Sequence, residues 1–451
     1  MTRRPIVLIH GYSDKGKSFR TWTEKLRELG RDPRAIHVCS YETLTNEVTI
    51  PDIAEGFDRA LREKIGLDGD EEFDAIVHST GMLVIRSWLT VYAKRRSRLK
   101  HLIGLAPASF GSPLAHKGRS WLGGIFKGRK QFGPDFLEAG DRVLDGLELG
   151  SRFTWELAEK DLLGERPYFG PNSDTPYVFT FCGTEAYSGI KRLISDPGTD
   201  GTVRWAGCSL NSRKIVLNLT KNKEETDRIS FSPWSNVDIP FIPVEGADHG
   251  TILSDPSDEL VRLVHEALGV ESEREMAAWY ADVSERSRGV LAALTQWQQF
   301  LVRVVDERGE PIPDYFLQLE GKRRDGGIEQ LQVFDLEVHP YGGDTSFRNF
   351  HVNLSALDPG SLESLMLRVI ASSGSSLVAY HGIADEACDD GQTAYDTDGT
   401  WNASLDLSGL LGDNDVNFFY PFTTTLVELR LNREPLPLSG PNKVCWFDDS
   451  D

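Results

Sequence analysis

The feature that most constrains the fold is an alternation at the start of the chain. Short, wholly apolar runs end at small polar loops, and stretches with apolar residues at helical spacing separate them. Ile6–Ile9 runs into His10-Gly11, residues 75–77 (Ala-Ile-Val) run into His78-Ser79-Thr80-Gly81, and residues 102–105 (Leu-Ile-Gly-Leu) repeat the pattern. Phe19, Trp22, Leu26 and Leu29 predict a helix over 18–29, and Ile53, Phe57, Ala60, Leu61 and Ile65 a second. Residues 35–41 read as a further strand and 82–92 as an apolar helix. A strand with no polar alternation is buried on both faces, as in a parallel sheet covered by helices. The fold class is therefore α/β with a mostly parallel sheet. No apolar run reaches the roughly 18 residues that a membrane-spanning helix needs.

The alternation stops at 106–175, a stretch rich in glycine and aromatic residues, and resumes with strands at 177–182 and 239–244 and a helix from about 258. Long insertions in compact domains are usually functional or disordered, so 106–175 is expected to be a lid or cap over the ligand edge of the sheet. A charged helical stretch, 271–288, closes a first domain of residues 1–285. From residue 300 the texture changes to short strands at 300–305, 315–319, 331–338, 349–354, 365–371, 376–380, 401–407, 417–419 and 423–431, separated by turns. That spacing predicts a smaller β-sandwich-like domain over 295–451.

Charge separates the same two parts. Residues 301–451 carry a net charge of −16, and residues 1–300 only −4. The total of −20 disfavours binding to nucleic-acid phosphates, which needs a basic surface. The five cysteines, Cys39, Cys182, Cys208, Cys388 and Cys445, form no C-x-x-C pair and read as scattered thiols of a reducing compartment. The first apolar run is too short for a signal peptide. A cytoplasmic location is expected, with signal-independent export as the other route.

Three short signals carry chemistry. Ser79 stands between a buried strand and an apolar helix. A nucleophilic serine needs such a tight turn, which lifts its hydroxyl above the sheet and sets the next backbone N–H beside a developing oxyanion. Gly81 is the small residue two positions later; Val77 stands where a G-x-S-x-G box has glycine. Next, Asp196-Pro-Gly-Thr-Asp200-Gly-Thr-Val203 follows the strand ending at Cys182-Gly183. An acid there can fix a histidine tautomer; Asp200 is the first candidate and Asp196 the second. Last, Gly246-Ala-Asp248-His249-Gly250 follows the final strand. His249, in a glycine-flanked loop at a strand's end, suits proton transfer near neutral pH, with Asp248 beside it solvated. The chain order is Ser79…Asp200…His249.

With His10-Gly11-Tyr12 after the first strand, these motifs make the chain resemble the α/β-hydrolase family, specifically its lipase- and esterase-like members, over about residues 1–270. The resemblance rests on Pro-Ile-Val-Leu-Ile-His-Gly-Tyr12, Val77-His-Ser-Thr-Gly81, Asp200-Gly-Thr-Val and Gly246-Ala-Asp-His. It implies Ser79 as nucleophile, His249 as general base and acid, Asp200 as orienting acid, and the backbone N–H groups of Tyr12 and Thr80 as oxyanion hole. It implies an acyl-enzyme route on lipid or small ester substrates, with no metal and no organic cofactor. The same triad would serve an acyltransferase or amidase, and an inactive scaffold that binds a partner is the alternative from another class.

Residues 116–130 place Lys117, Arg119, Lys127, Arg129 and Lys130 around a short apolar run. This pattern suits peripheral contact with an anionic membrane and equally a solvated cap. In the rear domain, Asp385, Glu386, Asp389, Asp390, Asp396, Asp398, Asp413 and Asp415 read as solvated acidic turns, without the spacing of a calcium-binding EF-hand. Docking to a protein partner is one use for that domain.

Overall fold

The computed structural model describes residues 4–10, 19–36, 47–93, 95–115, 141–170, 174–187, 196–232, 239–324, 326–375, 377–383, 400–411 and 417–435. The chain divides into two compact units. The first holds residues 1–212, 233–295 and 422–424, and the second holds 213–232, 296–421 and 425–451.

The first unit is built on β1 (Ile6–Ile9), β2 (Pro33–Ile36), β3 (Phe73–His78), β4 (Leu99–Leu105) and β5 (Tyr177–Gly183). After β5 the chain leaves for a hairpin, β6 (Ser212–Asn218) and β7 (Ile229–Phe231), and returns as β8 (Phe241–Val244). Six strands form one parallel sheet in the order β2-β1-β3-β4-β5-β8. The buried positions of β1, β3 and β4 have no polar alternation because helices cover both faces.

One face is packed by α1 (Arg20–Glu28), α8 (Asp258–Ala267) and α9 (Glu273–Ala293). Ile6, Leu8, Ile76, Ile103, Phe179 and Phe181 share a core there with Trp22, Leu26, Leu260, Val264 and Trp279. Helix α9 looks charged in sequence, yet Met276, Trp279, Tyr280 and Val283 repeat at helical spacing and are buried. Trp279 meets Phe179 edge-on at 4.6 Å. Helix α2 (Ile50–Glu63) packs elsewhere, against the helical segment 81–92, and its start is fixed by a capping box: Asp52 N–H donates to the Thr49 hydroxyl, and Thr49 N–H to the Asp52 carboxylate. Helix α3 (Gly81–Ser87) runs on into a π-helical turn, Trp88–Tyr92, so the predicted helix over 82–92 changes its winding midway. The predicted strand over 35–41 is described only as Pro33–Ile36.

The described flanks of the 106–175 insertion are core. Helices α4 (Asp141–Leu147) and α5 (Arg152–Asp161) bury Val143, Leu147 and Trp155. Arg86 of α3 makes a two-pronged bond to Asp161 at 2.7 and 2.9 Å, both side chains wholly buried, and also donates to Ser109 O. Burial pushes the Asp161 carboxyl up, opposed by the Arg86 charge. The basic stretch 116–130 lies outside the described residues.

The second unit has two antiparallel sheets. One is ordered β11 (Ile328–Gln330), β10 (Tyr315–Arg323), β14 (Leu362–Ser372), β16 (Thr400–Asp406). The other is ordered β12 (Val338–Pro340), β13 (Phe347–Asn353), β9 (Trp297–Asp306), β17 (Thr424–Pro435), β6, β7, with β15 (Val378–His381) also paired to β17. Alternate residues face one shared core: Phe300, Val302 and Val304; Leu317 and Leu319; Leu365, Leu367 and Val369; Leu429 and Leu431.

Four sequence expectations change here. The segment 213–232, placed by sequence in the first domain, belongs to the second unit, because Ile215 and Leu217 of β6 fill its core. Residues 331–338 are not one strand. Leu331 and Phe334 sit in a turn closed by Phe334 N–H to Leu331 O at 2.9 Å, and a three-residue spacing lets both point inward. Residues 417–419 form no strand either; Phe418 is held by its N–H on Leu410 O and stacks on Phe300 at 4.9 Å. Conversely, Phe422–Thr424 counts with the first unit, where Phe422 stacks on Phe241 at 4.9 Å. Thr424 Oγ there donates to Ala206 O at 2.9 Å.

Candidate active site

Ser79 follows the last residue of β3 and has φ +54°, a left-handed conformation that a non-glycine residue holds only under structural constraint. The constraint is visible: Ser79 N–H donates to Leu105 O at the end of β4, and Ser79 O accepts from Met82 N at 3.2 Å and Ala108 N at 3.1 Å. Thr80 is buried at the N-cap of α3. Gly81 has no alternative, since a Cβ there would stand 2.8 Å from Ile9 O. Val77 is fully buried between Ile9 of β1 and Gly104 of β4. A Cβ on Gly104 would lie 2.9 Å from Met82 Cε, so the smallness that lets α3 approach the sheet sits one strand over from the usual glycine.

Asp200 lies in the loop between β5 and the short α6 (Trp205–Cys208), and its side chain is 0% exposed. Its Oδ1 accepts from Thr202 N at 3.0 Å and Val203 N at 2.8 Å. Its Oδ2 lies 2.8 Å from His249 Nδ1. A carboxylate only accepts, so Nδ1 carries the proton and Nε2 is the basic nitrogen. Asp196 does something different, since its carbonyl accepts from the Thr199 hydroxyl at 2.6 Å.

His249 follows β8 and is buried. Its own peptide is gripped at both ends: its N–H donates to Asp200 O at 2.9 Å, and its carbonyl accepts from His78 Nε2 at 3.0 Å. Gly183 makes room for this loop, because a Cβ there would meet Ala247 O at 2.3 Å. Asp248 is not merely solvated; its Oδ1 caps the next turn, α7 (Thr251–Ser254), by accepting from Gly250 N and Thr251 N.

His78 is the residue that sequence reasoning missed. A carbonyl only accepts, so His78 Nε2 carries a proton, and its Nδ1 is buried with no hydrogen-bond partner among the described residues. Its ring centroid lies 4.7 Å from that of His249 and 5.5 Å from that of His10. Burial, then the neighbouring His249 and His10, hold His78 well below the ordinary imidazole value, so it stays neutral. Because His78 precedes Ser79, this bond draws the serine turn and the His249 loop together. The available signal was a second histidine next to the serine. Tyr12, expected as an oxyanion donor, and the acidic turns 385–398 and 413–415 lie outside the described residues. Among the described residues no group of three His, Cys, Asp or Glu side chains could hold a metal ion.

Set against protein-family profiles and curated proteins, the chain matches none. Among solved structures it is similar to phospholipase PlaB from Legionella pneumophila. One PlaB structure, in complex with thio-NAD, matches with a TM-score of 0.75 and a second with 0.76, each at 22% identity over 97% of this chain and 96% of that chain. That likeness establishes a shared fold. It extends over both units, well past the 1–270 stretch where sequence motifs carry the resemblance. The chain has the α/β-hydrolase fold together with a β-rich second unit.

Proposed function

We propose that the protein is a serine hydrolase of carboxylic esters, acting on lipid-like esters through Ser79, His249 and Asp200. The observation that carries this reading is the buried Asp200–His249 pair at 2.8 Å, on loops at the same sheet end as the constrained Ser79 turn. Asp200 fixes the tautomer, so His249 Nε2 accepts the Ser79 proton as Oγ attacks the ester carbonyl. The oxyanion is assigned to the N–H groups of Thr80 and Tyr12. Losing one such donor typically costs about 2.7–4 kcal/mol in the transition state. His249 then protonates the leaving alcohol, and water releases the acyl group from Ser79.

The lipid part of the proposal has two supports: the shared fold with a protein named as a phospholipase, and the basic, apolar stretch 116–130. On this reading Lys127, Arg129 and Lys130 meet anionic headgroups. Neutralising all three should weaken binding to anionic liposomes, and unchanged binding would count against membrane contact.

The test of the central claim is fluorophosphonate labelling followed by intact-mass analysis. One adduct on the wild type and none on Ser79→Ala is the expected result. No adduct on folded wild type, with and without liposomes, would favour a binding scaffold.

A further inference from the structure

Two thiols lie behind the acid of the triad. Cys182 of β5 and Cys208 at the end of α6 are both wholly buried, with their Sγ atoms 3.1 Å apart. Cys182 Sγ is 3.7 Å from Asp200 Oδ2, the same oxygen that faces His249 Nδ1. The direction of the chain is fixed by its end. The carboxylate only accepts, so the Cys182 thiol donates to Asp200, and the Cys182 sulfur accepts from Cys208.

We infer that Cys182 and Cys208 form a buried thiol chain that positions the Asp200 carboxylate for His249. The inference rests on the Ser79–His249–Asp200 assignment. Asp200 Oδ1 is already committed to two backbone N–H groups, so Oδ2 alone would bear on the imidazole, and the thiol gives that oxygen a second donor. Burial pushes both thiols up, Cys182 well above its ordinary range, which keeps them protonated and able to donate. Protonated, enclosed thiols are also poor nucleophiles, so the pair is suited to holding a proton and not to thiolate chemistry. Asp200 faces Cys182, Cys208 and His249; His249 in addition faces His78, and His78 faces His10.

The test uses the full chain and the variants Cys182→Ala, Cys182→Ser, Cys208→Ala and the Cys182→Ala/Cys208→Ala double. Two readouts are followed. One is the downfield proton NMR resonance of His249 Nδ1–H, assigned by its loss in His249→Gln. The other is the acid limb of kcat/KM on a soluble short-chain ester. Alanine and serine are both smaller than cysteine, so a pure packing role lowers stability in both and leaves the limb in place. A donor role separates them. Without the thiol, more charge stays on Oδ2, the imidazolium is held more tightly, and the limb of Cys182→Ala moves up by about half a pH unit. Cys182→Ser, with a stronger donor, keeps the wild-type limb or moves it down. Cys208→Ala moves it up by less and adds nothing in the Cys182→Ala background. An unmoved resonance and limb in Cys182→Ala, or equal displacement in Cys182→Ala and Cys182→Ser, overturns the thiol chain and leaves the triad standing. Ester hydrolysis that survives Ser79→Ala overturns both.

Discussion

The parallel sheet carries two buried Asp–His pairs, and they do different things. Near the start of β3 and β4, Asp74 and His101 are direct neighbours in register, with Nδ1 2.6 Å from Asp74 Oδ1. His101 Nε2 faces Val270 O, also at 2.6 Å, so both ring nitrogens meet acceptors. At the other end of the sheet, His249 gives Nδ1 to Asp200, while the loop itself is anchored by main-chain bonds to Asp200 O and His78. The first ring is a brace between strands and the stretch before α9. The second belongs to a loop anchored through its main chain to Asp200 and His78, at the sheet end where the proposed chemistry lies. An Asp–His contact is therefore not a site in itself; its place on the sheet and the anchoring around it must be read with it.

That contrast can be broken by substitution. His249→Asn should lower kcat by about 10⁴-fold on an ester substrate while the melting temperature stays close to wild type. His101→Asn should do the reverse. It leaves Asp74 buried with its main partner gone, which costs about 3–5 kcal/mol in denaturant unfolding, with kcat little changed in the folded fraction. Equal losses of activity in the two variants would erase the distinction.

His78 sharpens it. His78→Leu leaves the His249 carbonyl buried without its donor, at about 1–3 kcal/mol, and should lower kcat roughly tenfold or more with KM unchanged. His78→Gln, which can still donate, should recover most of that loss. Stability should also depend on pH through this ring. His78 is held well below its ordinary 6.5 in the folded chain, so the unfolded chain binds the extra proton first. The fold is at full strength above about 6.5 and weakens as pH falls below it, by up to about 1.4 kcal/mol per pH unit. Urea unfolding at a series of pH values should show this slope in the wild type and a smaller one in His78→Gln. The smallest effect belongs to the other acid candidate: Asp196→Asn should leave kcat/KM within about twofold.

Much of the site was legible because its parts follow a sheet's strand ends, where a parallel α/β fold gathers its functional loops. Ser79, Asp200 and His249 each come after a recognisable buried strand, and of the two acids it is the Asp200 carboxylate that lies against His249. His78 escaped because its role depends on a carbonyl 171 residues away, which no local pattern encodes. Cys182 and Cys208 escaped for the same reason: scattered thiols look alike until the fold brings two of them to one carboxylate. The β6–β7 hairpin, not read as strands in the sequence, fell inside residues 1–285 because a position between two strands of one sheet does not say that the chain leaves it to join another. Leu331 and Phe334 imitated a strand from inside a turn, since buried apolar residues mark a core without dictating backbone shape.

The exchange of segments between the two units has a consequence for synthesis. A multidomain chain ordinarily folds its first domain while the second is still being made. Here β6 and its hairpin partner β7 emerge from the ribosome long before β17, the sheet neighbour of β6, and Phe422–Thr424 emerge last of the first unit's residues. Neither unit can be completed until translation has passed residue 424. The nascent chain must carry the hairpin with the β17 side of β6 unpaired for about two hundred residues of elongation. The exchange also makes the boundary near residue 295 a poor place for recombination to cut.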